Sequence, residues 1–255
     1  MNQPITGLYV PGDRPDRFAK AVATGAELVV FDLEDAVPPA HKDAARQAVA
    51  AYLRSADLGS DDQGSDGQGR AHLSAVARDA ADRGLVSPSP PHRKAADLGR
   101  VVQVRVNPAD TPAGQADLAL LRTLPPTVEL RLPKVERPSQ IDQALTLAGP
   151  RPVTALLESP AAVLAAAAIA AVLAAPDTTS DGGIAIAASG GTGIAASWGV
   201  GRLGLGESDL SSAFGVRSGP LIDHARLHLA YVAQAAGLPA PMLSPYPDIA
   251  DLDGL

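Results

Sequence analysis

The chain has 255 residues, is 46% apolar but only 3% aromatic, contains no cysteine and carries a net charge of −7. That length suits one large domain, whose core must be built from Ala, Leu and Val. The acidic balance argues against a general nucleic-acid binder, and the lack of cysteine excludes disulfides, a thiolate nucleophile and a cysteine-zinc site. Met1-Asn2-Gln3-Pro4 has no leader pattern, and the most apolar run, Ala161 to Ala175, is too short and alanine-rich for a membrane span. A cytoplasmic protein with no membrane or nucleic-acid partner is expected.

The chain opens with a short strand, Thr6 to Val10, closed by Pro11-Gly12. A helix from Asp13 to Ala21 follows, with Pro15 in its first turn and with Arg14, Arg17 and Lys20 on one face at spacing three. That face reads either as solvated or as a cradle for phosphates. Gly25 ends it, and Leu28-Val29-Val30-Phe31-Asp32-Leu33 reads as a buried strand. Three acids, Asp32, Glu34 and Asp35, gather at the strand's C-terminal end, where α/β folds bind ligands. His41 to Leu53 is the next helix. Residues 55–98 read as a poorly specified excursion within a single domain spanning 1–255, beginning with the Gly-, Ser- and Asp-rich Ser55 to Gly69 and including a modest helix from Ala71 to Arg83.

Val101 to Pro108 is the third strand, ending in Arg105 and Asn107, and Ala116 to Leu124 the helix after it. Val128 to Glu136 is the fourth strand, ending in Lys134 and Glu136, followed by a helix from Pro138 to Ala148. Val153 to Glu158 is the fifth, and Ser159-Pro160 caps an alanine-rich helix. After a Gly- and Ala-rich segment, Asp177 to Gly201, the sixth strand runs Arg202 to Leu210, ending in Glu207 and Asp209. A helix from Leu221 to Ala236 and a seventh strand, Pro241 to Asp248, complete the pattern. Strand, polar end, helix, repeated, is the grammar of a parallel α/β sheet. Chemistry at so many strand ends favours a (β/α)8 TIM-type barrel over an open sheet with one switch point. No eighth strand is found, so closure at the C-terminal end is expected to be incomplete.

In such a barrel Glu158 and Asp209 stand at neighbouring strand mouths. Two carboxylates with water and substrate oxygens suit Mg²⁺. Arg105 is placed to clamp a substrate carboxylate or an enolate oxygen, and Asp32, Glu34 and Asp35 to act behind the metal through bound water. For each residue alone, a salt bridge at the rim remains the alternative.

These residues also carry a family resemblance. Leu8-Tyr9-Val10-Pro11-Gly12-Asp13-Arg14-Pro15-Asp16-Arg17, Phe31-Asp32-Leu33-Glu34-Asp35-Ala36-Val37-Pro38-Pro39 and Val104-Arg105-Val106-Asn107 are followed by Leu132-Pro133-Lys134-Val135-Glu136 and Leu156-Leu157-Glu158-Ser159. Leu205-Gly206-Glu207-Ser208-Asp209-Leu210 and Tyr246-Pro247-Asp248-Ile249 close the series. In this order the chain resembles the citrate lyase beta subunit-like branch of the HpcH/HpaI aldolase superfamily. The resemblance implies a (β/α)8 barrel, a homotrimer, and Mg²⁺-dependent cleavage or formation of a carbon–carbon bond in a short 3-hydroxyacyl-CoA such as citryl-CoA or malyl-CoA. It implies Glu158 and Asp209 as metal ligands and Lys134 as a supporting residue. Arg105 would bind the oxo acid (of the oxaloacetate, pyruvate or glyoxylate class), and Arg14, Arg17 and Lys20 the CoA phosphates. Asp248 would be an acid/base residue delivered to a neighbouring subunit.

Two other readings stay open: a pyruvate-type aldolase acting on free hydroxy-oxo acids, and a non-catalytic homologue that binds CoA or metal. Gly199-Val200-Gly201-Arg202-Leu203-Gly204 fits a dinucleotide fingerprint but leads into a strand instead of following one. His224 and His228 stand four apart, but Ala225 occupies the place of the glutamate that a zinc protease helix needs.

Overall fold

The structure, a computed structural model, describes residues 6–57, 101–174, 201–216 and 219–244. Six parallel strands pair strictly in sequence order: β1 (Gly7–Pro11), β2 (Leu28–Asp32), β3 (Val101–Arg105), β4 (Val128–Leu132), β5 (Val153–Leu157) and β6 (Arg202–Leu205). The helices are α1 (Phe18–Ala23), α2 (Lys42–Asp57), α3 (Pro112–Leu121), α4 (Pro138–Ala148), α5 (Pro160–Leu164), α6 (Ala166–Leu173), α7 (Glu207–Phe214) and α8 (Pro220–Ala235). Sequential parallel order with helical crossovers is barrel topology. The described strands form a curled part-barrel, and among the described residues β1 and β6 do not pair.

Strand alternation sorts the side chains. Val29, Phe31, Val102, Val104, Leu130, Leu132, Val153, Ala155, Leu157, Leu203 and Leu205 all join one hydrophobic core with the helices. Phe18, Phe31 and Tyr52 meet there as an aromatic cluster, with ring centroids 5.0 to 5.6 Å apart. The intervening positions, Tyr9, Gln103, Arg105, Glu129, Arg131, Thr154 and Arg202, project to the concave face. The inner face therefore carries many polar groups beside the apolar Val30 and Leu156, and those polar groups must satisfy one another. Gln103 Nε2 donates to Glu129 (2.9 Å) and Thr154 (2.8 Å), while its Oε1 accepts from Arg131 (3.0 Å).

Buried polar ties fix the strand and helix ends. Asp117, fully buried on α3, accepts from the Asn107 backbone N–H, the Asn107 amide and Arg46 Nη1 on α2. Arg151 donates to the carbonyls of Leu121, Ala148 and Val128, stapling the ends of α3 and α4 to the start of β4. Burial pulls its pKa down to about 10. Proline opens α3, α4, α5 and α8, as its fixed φ and missing N–H favour.

Several sequence expectations change. The sixth strand stops at Leu205, because the Gly206 N–H makes the last ladder bond, to Leu157, and the Gly206 carbonyl then accepts from Leu210 to start α7. Glu207 and Asp209 thus lie in the first turn of a helix, where the macrodipole favours acids. Of the expected seventh strand, Pro241 to Asp248, the described residues show one parallel bridge at Met242, bonded to Leu203 and Leu205, and its residues from 245 onward lie outside the described set. Arg14, Arg17 and Lys20 do not share one helix: Arg14 precedes a 3-10 turn (Pro15–Arg17), Arg17 ends it, and Lys20 lies in α1. Pro15 starts that tighter turn, so the spacing of three does not build an α-helical face. The alanine-rich run breaks at Ala165 into α5 and α6. α2 continues to Asp57, into the start of the expected excursion, whose remainder lies outside the described residues, as does the expected helix from Ala71 to Arg83. Among the described residues no helix is long and apolar enough to cross a membrane.

Candidate active site

A cavity of about 330 Å³ opens at the C-terminal ends of the strands. Asp32, Asp35, Arg105, Arg131, Glu158 and Asp209 line it, with Tyr9, Gly206, Ser208 and Ser244 among their neighbours. It lies where parallel α/β barrels place their chemistry, because loops there can vary without disturbing the sheet.

The acidic turn after β2 is a built structure. The Glu34 N–H donates to Asp32 Oδ1 (2.8 Å). Lys42 Nζ donates to the carbonyls of Leu33 and Glu34 (2.8 and 2.7 Å), and the Asn107 amide donates to Leu33 O. Asp32 and Glu34 are buried while Asp35 is exposed. Asp32 meets Arg105, its registered neighbour on β3, in a two-pronged pair: Nε to Oδ1 at 2.8 Å and Nη2 to Oδ2 at 2.6 Å. Arg105 Nη1 also lies 3.0 Å from Glu34 and 3.3 Å from Asp35. Burial lowers the pKa of Arg105, but the hydrogen bonds and charge of Asp32, with Glu34 behind, outweigh it and leave the pKa raised. Of the two roles the sequence leaves open for Arg105, a clamp for substrate or a salt bridge, the structure shows the second: three carboxylates engage its guanidinium.

Lys134 links the two halves of the cavity. Its Nζ donates to Glu34 Oε1 (2.8 Å) and lies 3.7 Å from Asp209. Its backbone takes φ = +54°, and among the described residues it is the only non-glycine with positive φ. That conformation costs about 1 kcal/mol or more in a non-glycine residue. It aims the Lys134 N–H at Glu158 Oε2, 2.9 Å away. Glu158 follows β5 directly and is 8% exposed. Burial, then the charges of Glu34 and Asp209, push its pKa up to about 7 despite the opposing Lys134 N–H and charge. Glu34 is also raised, chiefly by burial. Its Oε2 accepts no aligned hydrogen bond, although Arg105 lies within ion-pair distance.

Gly206 makes this packing possible. A Cβ there would stand 2.3 Å from Glu158 Cγ and 2.6 Å from Oε1. Gly206→Ala is therefore expected to displace Glu158 and to lower stability by about 1–3 kcal/mol, as overpacking does. Thermal melts read the cost, and an unchanged midpoint would mean that Glu158 does not sit against Gly206.

The expected site residues divide into three sets. Asp32, Asp35, Arg105, Glu158 and Asp209 share the cavity, with Glu34 and Lys134 tied into them. Arg14, Arg17 and Lys20 are not among its lining residues, and the Arg14 fork is occupied by Asp16 (2.9 and 2.8 Å). Asp248 lies outside the described residues. Glu207 turns away and forms a bidentate pair with Arg226 on α8. The sequence reading overlooked Tyr9, Arg131, Gly206, Ser208 and Ser244. For Tyr9 and Arg131 a signal was present: each alternates with apolar residues in its strand, which puts it on the opposite face from the core.

A family model described as HpcH/HpaI aldolase/citrate lyase matches residues 5–62 and 71–241. The chain belongs to this family. A (3S)-malyl-CoA thioesterase of Cereibacter sphaeroides is 29% identical over 164 residues, covering 64% of this chain and 44% of the relative. The citrate lyase subunit beta of Leuconostoc mesenteroides subsp. cremoris is 44% identical over 54 residues, 21% of this chain and 18% of that protein. The chain thus spans less than half the length of the curated relatives it matches. Among solved structures, the Mycobacterium tuberculosis citrate lyase beta subunit complexed with oxaloacetate and magnesium aligns with a TM-score of 0.58 and 26% identity, covering 97% of this chain and 81% of that one. The same organism's CitE in complex with magnesium, acetoacetate and coenzyme A gives 0.62 and 26%, covering 100% and 70%. RipC of Yersinia pestis, at 20% identity and a TM-score of 0.58 over 99% of this chain and 80% of its own, shares the fold.

Proposed function

We propose that this family member is a Mg²⁺-dependent carbon–carbon lyase that cleaves or forms a short 3-hydroxyacyl-CoA of the citryl-CoA or malyl-CoA type. The observation that carries the reading is the pair Glu158 and Asp209 facing one cavity beside Arg105. Among the described residues there is no cluster of three His, Cys, Asp or Glu side chains fit to hold a metal. A two-carboxylate site nevertheless suits Mg²⁺, which keeps several waters and takes its other ligands from substrate. Glu158 also fits the role electrostatically, as a desolvated carboxyl pressed by two neighbouring acids and stabilised as an anion by any cation that arrives. When bound, the ion would polarise the substrate's hydroxyl or oxo oxygen.

The remaining work falls to the chain's own groups. The Lys134 N–H and the bare Gly206 hold Glu158 in place. Arg105 presents fixed positive charge where an enolate oxygen develops. Asp248 would exchange a proton with the thioester α-carbon. The magnesium, oxo acids and coenzyme A named for the Mycobacterium tuberculosis structures support this choice of ligands. A homotrimer remains our expectation for the assembly.

A hydrolytic reading of the same site is favoured by the likeness to malyl-CoA thioesterase. One assay separates the two: purified protein with Mg²⁺ and malyl-CoA or citryl-CoA, with products resolved by chromatography. A lyase releases acetyl-CoA and an oxo acid; a thioesterase releases CoA and the hydroxy acid. Asp209→Ala is expected to lower either turnover at least about 100-fold, as lost metal ligands and their supports do. Turnover that persists in Asp209→Ala or without divalent ions would overturn the metal site.

A further inference from the structure

Arg131 is a buried charge in the cavity with no ion-pair partner among the described residues. It is the penultimate residue of β4, registered beside Arg105, and is 4% exposed. Its Nη1 donates to two neutral acceptors, Gln103 Oε1 (3.0 Å) and Met242 Sδ (3.4 Å), and its side chain also hydrogen-bonds Tyr9, so every partner it has among the described residues is uncharged at neutral pH. Its Nε is buried without a hydrogen-bond partner. Both guanidinia lie over the Tyr9 ring, whose centroid is 5.3 Å from Arg131 Cζ and 5.2 Å from that of Arg105. Burial pulls the pKa of Arg131 down and the Arg105 charge adds to this, against the pull of Tyr9 and, across the cavity, of Glu158. A guanidinium stays protonated at neutral pH, so its desolvation is not relieved by losing the proton.

The contrast with Arg105 bears on what the cavity receives. Two guanidinia sit side by side at one depth in the sheet; three carboxylates engage one, and none among the described residues pairs with the other. A cation buried this way lowers stability unless an anion completes it. The cavity's volume suits a small acid rather than a nucleotide. Under the proposed function, the 2-oxo acid end faces Glu158 and Asp209, and Arg105 is already engaged by the chain's own carboxylates, which leaves Arg131 for charge at the other end.

We propose that Arg131 receives a second carboxylate of the substrate and so selects a dicarboxylic oxo acid over a monocarboxylic one. This rests on the oxo-acid reading of the site. It adds a specificity residue and commits the chain to the oxaloacetate class over pyruvate or glyoxylate.

Calorimetric titration of the full chain in Mg²⁺ with freshly dissolved oxaloacetate and with pyruvate tests it, on wild type, Arg131→Met and Arg131→Lys. Wild type is expected to bind oxaloacetate about 10–100-fold more tightly than pyruvate, the range of one charge-assisted hydrogen-bonding pair. Arg131→Met should bring oxaloacetate down to the level of pyruvate and leave pyruvate affinity unchanged. Arg131→Lys should restore part of the preference. A merely structural arginine would weaken both ligands together. Equal Mg²⁺-dependent binding of the two acids by wild type, or a preference that survives Arg131→Met, overturns the role of Arg131 and leaves the oxo-acid site standing. If neither acid binds, the oxo-acid reading fails and this proposal with it. If the methionine variant does not fold, the lysine variant decides: a preference moved toward parity supports the proposal, and an unmoved one overturns it.

Discussion

Replacing Glu158 by glutamine is expected to stabilise the ligand-free protein at neutral pH and to abolish its response to Mg²⁺. Glu158 has its pKa raised from 4.5 to about 7, chiefly by burial. An acid with a raised pKa binds protons more tightly in the folded state than in the unfolded one. Wild-type stability should therefore fall as pH rises from about 4.5 to about 7, with Glu158 contributing roughly 3 kcal/mol and the raised carboxyls of Glu34 and Glu129 acting in the same direction. Glutamine removes the charge, and its Oε1 can still accept the Lys134 N–H. The two proteins should thus melt together near pH 5, with the variant higher by several degrees at pH 8. Metal needs the ionised carboxylate, so the stabilisation of wild type by Mg²⁺ should require about tenfold more metal for each pH unit below 7. Melts at several pH values, with and without Mg²⁺, check both halves. A flat wild-type profile, or a variant still stabilised by Mg²⁺, would show that Glu158 is neither a strained carboxyl nor a ligand.

Arg105→Met should be the most destabilising single change at the site. The Asp32 side chain is 2% exposed and that of Glu34 4%, and both rely on the Arg105 guanidinium. Removing one partner of such a pair strands the other charge in a poorly hydrated site, at a cost of about 3–5 kcal/mol. Denaturant unfolding of Arg105→Met, Asp32→Leu and the double variant forms the cycle that isolates the pair. The double variant should recover a large part of the loss, since neither charge is then left alone. A cost for Arg105→Met under about 1 kcal/mol, the range of an exposed ion pair, would mean that the Asp32 contact is optional and that the arginine is available to a ligand throughout.

These expectations show which parts of the site were legible. The acids after β2, Glu158 after β5 and Arg105 at the end of β3 could be read because an apolar, β-favouring run that stops at a charge marks a strand mouth. For Arg105 the sequence leaves two roles open, a clamp for substrate and a salt bridge at the rim, and the structure shows an ion pair. Its pairing with Asp32 joins positions 73 residues apart and depends on strand register, which the local sequence of neither strand encodes. The sequence reading carries the sixth strand on to Leu210 and so puts Asp209 at a strand end. Gly206 ends the ladder, and the chain turns into α7 with its acids at the favoured helix terminus. Its second role, clearing space for Glu158, follows from contact between adjacent strand ends.

The chain by itself determined the class of fold, the alternation of strands and helices as far as Leu205, the prolines that open helices, and the acidic and basic groups at the strand mouths. These follow from backbone sterics, from the two periodicities of side-chain direction and from the cost of burying charge, all of which act over a few residues. Only the tertiary structure decided which charges neutralise each other. Arg105 is engaged by Asp32, Glu34 and Asp35 and Lys134 joins Glu34 to Asp209, while Arg131 pairs with no described carboxylate. Such partnerships are set by where separate strands come into register, and electrostatic energy depends on distance and burial in space, not on separation along the chain.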